Sequence, residues 1–238
     1  MTRRRWIADE VAGDGAALVG EHAAHLVRVL RAQVGQQFDI AAGDEVRLGT
    51  IVSISEDRVE FSLAAPGATQ LSTLPRITLA LAIFKFDRME WAIEKCTEIG
   101  VARIIPVVAR RSDAHLVAAA SKRQQRWVRL VRQAAEQSRR SAPPEIRGPV
   151  RLKDLADVFP TSVRVVLAES SDGVRLGEIL QSRPSDVVLA VGPEGGWADE
   201  ELAWFRDAGW IAASLGPTIL RAETAAIVGT AIALDALR

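Results

Sequence analysis

The chain has 238 residues, 48% of them hydrophobic and 25% charged, with a formal net charge of zero. That is enough apolar material for one large core or two modest ones, and no apolar run approaches the roughly 18 residues a membrane span needs. A single cysteine, Cys96, excludes an intramolecular disulfide, and His22, His25 and His115 lack ligand spacing, so no metal is expected. The start, Met1-Thr2-Arg3-Arg4-Arg5-Trp6, has no apolar segment behind its basic residues and does not read as a signal peptide. With one cysteine, this points to a reducing, cytoplasmic setting.

In chain order, residues 21–32 predict a short helix with Leu26, Val29 and Leu30 on one face. Val46, Leu48, Thr50, Val52 and Ile54 then alternate with Glu45, Arg47, Gly49, Ile51 and Ser53, and Val59, Phe61 and Leu63 alternate after a turn at 55–57. Short strands of period two without long helices predict a small β-barrel. Residues 66–75, bounded by Pro66 and Pro75, read as a linker, which divides the chain into domains 1–72 and 73–238.

Beyond Pro75 the grammar changes to alternating strands and helices. Ile77 to Phe84 is a continuous apolar run, as in a buried parallel strand. Arg88 to Ile99 places Met89, Ala92, Ile93, Cys96 and Ile99 on one helical face, with Gly100 as its C-terminal cap. Residues 104–108 form a second strand, whose Pro106 predicts an irregular or edge position. A long helix over 121–139 turns Trp127, Leu130, Val131, Ala134 and Ser138 inward and its arginines outward. Strands follow at 163–168 and 186–191, then a helix N-capped by Asp199, a short strand at 211–215, and a nearly all-apolar helix from Thr224 to Leu237. That last helix predicts burial, including against a second subunit. The class is α/β, with a parallel C-terminal domain behind a small β-barrel.

Charge is unevenly spread. From Lys122 to Arg147 there are eight basic residues against two acids, Glu136 and Glu145, while acids dominate from Asp154 to Asp207. A basic stretch in a neutral protein suits a polyanionic partner, or is simply a solvated helix face.

Two blocks carry the chemistry: Val191-Gly192-Pro193-Glu194-Gly195-Gly196-Trp197 and residues 215–225, beginning Leu215-Gly216-Pro217. Each follows an apolar strand and opens onto a helix, and ligands of open α/β sheets bind at the carboxyl ends of strands. Neither block is a G-x-G-x-x-G or a G-x-x-x-x-G-K-[ST]. Gly192, Pro193, Gly195 and Gly196 offer close backbone approach to a ligand. Leu167 at the end of the 163–168 strand, with Leu215, Gly216, Ile219 and Leu220, supplies walls, or belongs to the ordinary core.

At these blocks the chain resembles the SPOUT methyltransferases, and more narrowly the RsmE family of small-subunit (16S) ribosomal RNA uridine N3-methyltransferases. The likeness also runs through residues 25–31, through 85–100 (beginning Lys85-Phe86-Asp87-Arg88), and through Glu136-Gln137-Ser138-Arg139-Arg140 with Pro143 and Pro144 just after. Ala41-Ala42-Gly43-Asp44 departs from the aspartate-glycine turn more usual in that family. The resemblance implies a PUA-like RNA-binding barrel, a SPOUT domain with a trefoil knot, S-adenosyl-L-methionine as cofactor, and a homodimer. The partner it implies is small-subunit ribosomal RNA or the assembled subunit.

For such a reaction Arg221 is the first candidate to stabilise a uracil anion, unless it forms an ion pair with Glu223. Glu223 or Glu194 would take the proton. Gln137 would orient the base or cap a neighbouring loop. Arg3, Arg4, Arg5, Arg28, Arg31, Lys85, Arg88, Arg110, Arg111, Arg139 and Arg140 are candidate RNA contacts. Trp6 and Trp197 would stack a base or pack in the core. A ribose 2′-O-methyltransferase and a non-catalytic RNA-binding assembly factor are the competing functions.

Overall fold

A computed structural model describes residues 5–43, 45–65, 76–155, 162–169 and 174–238. The expected linker at 66–75 with its domain boundary, Arg3, Arg4 and Asp44 lie outside the described residues. The chain forms two compact units, Met1–Thr73 with Ala135–Pro143, and Leu74–Ala134 with Pro144–Arg238.

The first unit holds β1 (Arg5–Ile7), β2 (Glu10–Ala12), β3 (Gly15–Val19), α1 (Glu21–Ala24), β4 (Gln37–Ala42), β5 (Glu45–Ile54) and β6 (Arg58–Leu63). The six strands make one sheet in the order β1-β4-β5-β6-β3-β2, antiparallel except for the parallel β1–β4 pair. Its core gathers Trp6, Leu18, Leu26, Ile40, Ile51, Val59 and Phe61.

One sequence expectation, the face of the first helix, fails here for a local reason. α1 runs directly into a π-helical turn, His25–Val29. Wider i→i+5 bonds, such as Leu30 N–H to His25 O at 3.3 Å, rotate the face away from 3.6 periodicity. Leu26 is therefore buried while Val29 and Leu30 are exposed. In β5 the inward set is Arg47, Gly49 and Ile51 rather than Val46, Leu48 and Val52. Val52 falls on the outward face and is exposed, and the register against β6 shifts between Ile51 and Ser53, a bulge that ends the alternation there. Arg47 tolerates burial because its guanidinium donates to Ala64 O at 2.6 Å and to Asp14 Oδ1 at 2.6 Å.

The second unit holds β7 (Arg76–Ala82), α2 (Phe86–Ile99), β8 (Arg103–Val108), α3 (Ala114–Gln137), β9 (Glu145–Ile146), β10 (Val150–Arg151) and β11 (Val163–Leu167). It continues through β12 (Val174–Arg175), α4 (Leu176–Ile179), β13 (Asp186–Val191), α5 (Asp199–Asp207), β14 (Ile211–Ser214) and α6 (Ala222–Ala236). The last residues of α3, from Ala135, cluster with the first unit. The sheet is parallel throughout, in the order β10-β8-β7-β13-β11-β14-β12, with β9 also pairing β8.

Alternation along the buried central strands separates two cores. Ile77, Leu79, Leu81, Val187, Leu189 and Val191 face one side, with residues of α2 and α6. The opposite face carries small residues, Ala80, Ala82 and Ala190, which leave room for Trp197, Phe205 and Trp210. Trp197 and Trp210 each stand edge-on to Phe205 with ring centroids 4.9 Å apart, a geometry favoured by the aromatic quadrupole.

Pro106 sits one strand in from the edge. β9 pairs β8 at Arg103 and Ile104, and β10 pairs it at Val107 and Val108, so Pro106 faces the gap between two short partners. Its missing N–H costs no ladder bond there. α5 begins one residue earlier than expected: Ala198 is the cap, Asp199 is already helical, and Glu201 accepts the Ala198 N–H at 2.9 Å.

Candidate active site

Three loops at the carboxyl edge of the parallel sheet enclose a cleft of about 1110 Å³. They follow β11 (Ala168, Glu169), β13 (Gly192–Trp197) and β14 (Leu215–Arg221), and Arg111 joins them from the loop after β8. All nine residues singled out for cofactor binding line it: Leu167, Gly192, Pro193, Gly195, Gly196, Leu215, Gly216, Ile219 and Leu220. Ile219 stands at the lip, 77% exposed.

The loops are shaped by local bonds. A Cβ on Gly192 would lie 3.2 Å from the Trp197 indole nitrogen, so any side chain there would press on that ring. The indole N–H donates to Leu167 O at 3.2 Å, which ties the end of β11 to the β13 loop. Gly196 has φ +69°, a conformation costly for residues with a side chain, and its N–H closes a turn onto Pro193 O at 2.9 Å. In the β14 loop, Ser214 Oγ accepts the Gly216 N–H at 3.2 Å.

Of the two roles open to Trp6 and Trp197, both take core packing, Trp6 being 1% and Trp197 5% exposed. Of the catalytic candidates, Arg221 and Glu194 line the cleft and are exposed. Arg221 is the N-cap of α6. It does not pair with Glu223. Glu223 is buried and takes Arg88 instead, at 3.0 Å, while its second oxygen has no partner among the described residues. Glu223 does not line the cleft. Nor does Gln137, which ends α3 as an exposed residue of the first unit, because the buried side of that turn carries Ala134, Ala135 and Glu136.

The candidate RNA contacts fall into different environments. Arg28 pairs loosely with Glu56 at 3.6 Å, Arg31 is exposed in a left-handed conformation, and Arg5 donates to the Arg139 carbonyl. Arg139 is exposed, and burial pulls Arg140 down to about 10. Lys85 is an exposed N-cap of α2. Arg110 pairs with Glu200 at 3.6 Å, whereas Arg111 lies over the glycine loop and donates to Gly195 O at 2.8 Å. On the arginine-rich α3, Arg123 and Arg126 are both held by Glu90, at 3.2 and 2.8 Å. Glu169 was not anticipated. Its place two residues past the end of β11 was the available signal.

Together, a parallel sheet, a cleft at its carboxyl edge and walls of glycine backbone and leucine define an α/β protein with a small-molecule pocket at its strand ends. Residues 72–234 match the family model of the RNA methyltransferase domain. Ribosomal RNA small subunit methyltransferase E of Bacillus subtilis is 31% identical over 219 residues, spanning 88% of this chain and 85% of that protein. Its counterpart in Mycobacterium bovis is 32% identical over 237 residues, spanning 96% and 90%. A crystal structure of the Neisseria gonorrhoeae enzyme of the same name, bound to S-adenosyl methionine, superposes with a TM-score of 0.85 at 28% identity, covering 97% of this chain and 96% of that one. The chain belongs to the RNA methyltransferases, and among them to the ribosomal RNA small subunit methyltransferase E family.

Proposed function

We propose that this protein is an S-adenosyl-L-methionine-dependent methyltransferase of small-subunit (16S) ribosomal RNA, acting on N3 of a uridine. The observation that carries this reading is the cleft, where nine residues from the ends of three adjacent strands converge. It fits the cofactor chemically: leucine side chains suit the adenine faces, and exposed glycine backbone offers donors and acceptors for its edge. When bound, the cofactor supplies a methyl group already activated on a sulfonium.

The remaining work belongs to the protein. The uracil N3–H is a weak acid, so its proton must be taken and the resulting anion held. Arg221, at the lip of the cleft, offers positive charge to the uracil carbonyl oxygens. Glu194, on the neighbouring loop, is the carboxylate placed to accept the proton. Glu223 is assigned a structural part, holding Arg88, and Gln137 is assigned the orientation of the base. Positioning accounts for much of the rate, since the donor needs no further activation.

The reading extends to the rest of the chain. The first unit, residues 1–73 with Ala135–Pro143, is a PUA-like RNA-binding barrel, and the rest of the chain is a SPOUT domain whose C-terminal segment threads a trefoil knot. The protein works in the cytoplasm as a homodimer, with apolar residues of α6 at the contact. Arg5, Arg28, Arg31, Lys85, Arg139 and Arg140 contribute phosphate contacts, which make affinity fall with salt.

The test is nucleoside mass spectrometry of ribosomal RNA from cells with and without the gene. Loss of 3-methyluridine from the small-subunit RNA, restored by purified protein and S-adenosylmethionine, is expected. Loss of a 2′-O-methylated nucleoside instead would reassign the reaction to ribose, and no change in any methylated nucleoside would leave an RNA-binding factor.

A further inference from the structure

Arg221, the group assigned to the uracil anion, makes no side-chain bond among the described residues. Its guanidinium is aimed by its backbone alone. As the N-cap of α6 it has φ −63° and ψ 154°, and its carbonyl accepts the Ala225 N–H at 2.8 Å. Where α6 begins therefore decides where this arginine stands in the cleft.

α6 lies against α2 in one register. Arg88 Nη1 donates to Glu223 Oε1 at 3.0 Å, and Thr230 Oγ1 donates to Cys96 Sγ at 3.5 Å. A Cβ built on Gly100 would stand 3.4 Å from Leu234 Cδ1. The two bonds join residues 135 and 134 apart in the sequence, and the third contact keeps the same step, so the helices run side by side in one direction. Both start at the carboxyl edge of the sheet, after β7 and β14. Ala92, Ile93, Ala226 and Ala233 belong to the one apolar core that covers them. Apolar burial is non-directional; it holds two helices together without choosing where along each other they stop. The Thr230 bond is weak because sulfur accepts poorly. The strong directional contact is the charged pair, and it sits at the cleft end: Arg88 in the first turn of α2, Glu223 in the first turn of α6. The second oxygen of Glu223 has no partner among the described residues, so this carboxylate is held by Arg88.

We infer that Arg88 is a positioning residue for methyl transfer: through Glu223 it fixes the start of α6, and so the place of Arg221 against the uracil. This rests on the function proposed above and moves Arg88 from RNA phosphate to the scaffold of the active site. Stabilisation of a developing anion depends on where the cation stands, and a misplacement of about 1 Å costs up to about 10²-fold in rate. Neither Arg88 nor Glu223 lines the cleft, so cofactor affinity is independent of them.

The test is a double-mutant cycle on the full chain. Single-turnover transfer is followed from labelled S-adenosylmethionine into small-subunit particles from cells lacking the gene, with both saturating. Arg88→Ala should lower the rate constant about tenfold. Half-saturation by particles, and the calorimetric Kd for S-adenosylhomocysteine, should stay within about twofold of wild type. In an Arg221→Ala background the same substitution should change the rate constant by less than about twofold, because the group it positions is gone. Arg88→Lys keeps a cation for Glu223 and should recover most of the loss. Glu223→Gln breaks the pair without stranding a charge, and should show the same tenfold loss and the same dependence on Arg221 even where Arg88→Ala fails to fold. Equal losses with and without Arg221 would overturn the inference, since a merely structural role lowers the active fraction in both backgrounds alike. So would an unchanged rate constant, or a loss confined to half-saturation, the signature of a phosphate contact. Normal turnover by Arg221→Ala would remove both Arg221 from the mechanism and its positioning by Arg88. Wild-type protein that puts no methyl on uridine N3 would take the proposed function with it; wild-type transfer with equal losses removes the positioning alone.

Discussion

Removing Arg88 tests how α6 is joined to the start of α2. The guanidinium lies 3.0 Å from Glu223 Oε1, with the arginine 34% and the glutamate 9% exposed. Glu223 already has one oxygen without a partner among the described residues, so Arg88→Ala would strand a buried carboxylate. Breaking a fully buried pair costs about 3–5 kcal/mol. Water reaches the arginine side, which reduces the expected cost to about 2–3 kcal/mol. With a denaturant slope of about 2–3 kcal/mol/M, the urea midpoint should fall by about 1 M. Cys96 provides the assay. It is fully buried in the second unit, and desolvation pushes its thiol up to about 12, so alkylation at neutral pH reports opening of that unit. Adding Glu223→Gln to the Arg88→Ala background removes the stranded charge and should recover about 1–2 kcal/mol. If Arg88→Ala costs less than about 0.5 kcal/mol, or if the second substitution recovers nothing, the account of Glu223 as a buried anion dependent on Arg88 is wrong.

Gly229→Ala should couple packing to the cleft. The new Cβ would lie 2.9 Å from Leu167 Cδ1 and 3.1 Å from Leu189 Cδ2, well inside ordinary contact. The overpacking cost of about 1–3 kcal/mol is partly offset by about 1 kcal/mol of helix propensity. Because Leu167 lines the cleft, cofactor affinity measured by calorimetry should fall several-fold, and unchanged affinity would refute the coupling. Arg221→Ala should lower turnover on RNA by about 10²-fold or more at saturating cofactor while leaving cofactor affinity nearly intact; normal turnover would remove Arg221 from the mechanism. Arg147, and then Arg103, hold the Glu145 carboxyl below the usual carboxylate range, at 2.7 and 2.8 Å. A depressed folded value adds stability that is complete above about pH 4.3 and is lost as pH falls through the folded value. Glu145→Gln should therefore flatten the stability profile below about pH 4.3, and an unchanged slope there would exclude the effect.

The loops of the cleft were legible because two unrelated blocks each followed an apolar strand and preceded a helix, and the topology of parallel sheets sends such loops to one edge. β7 and β13 were legible for a related reason: strands covered on both faces read as unbroken apolar runs. What escaped depended on partners distant in the chain. No local pattern says that Arg47 points inward, since the carbonyls of Leu63 and Ala64 and the carboxylate of Asp14 that receive it come from other segments. The bulge at Val52 and the π turn at His25–Val29 each change a period within one element, which defeats any rule that extrapolates the period. β9 and β10, of two residues each, are too short to have one. In the site, the bond from Arg111 to Gly195 O follows from the juxtaposition of the loops after β8 and β13, which no local pattern announces. Glu223 invited assignment as a base by its closeness in sequence to Arg221, and its partner proved to lie on α2.

The first unit is not finished when its last strand has been made. Ala135 packs with Ile7 and Ala41, Glu136 accepts the Ile7 N–H at 3.5 Å, and Arg5 donates to the Arg139 carbonyl. These residues belong to the segment Ala135–Pro143, which follows most of α3. A ribosome adding roughly 5–20 residues per second needs about 4–14 s to travel from residue 73 to residue 143. Throughout that interval the nascent sheet lacks its closing segment, and Ile7 and Ala41 remain open to solvent or to a chaperone. The two units therefore mature in an overlapping order, with the earlier one waiting on the later, and a gene fragment ending at Thr73 would encode a first unit permanently held at that unfinished stage.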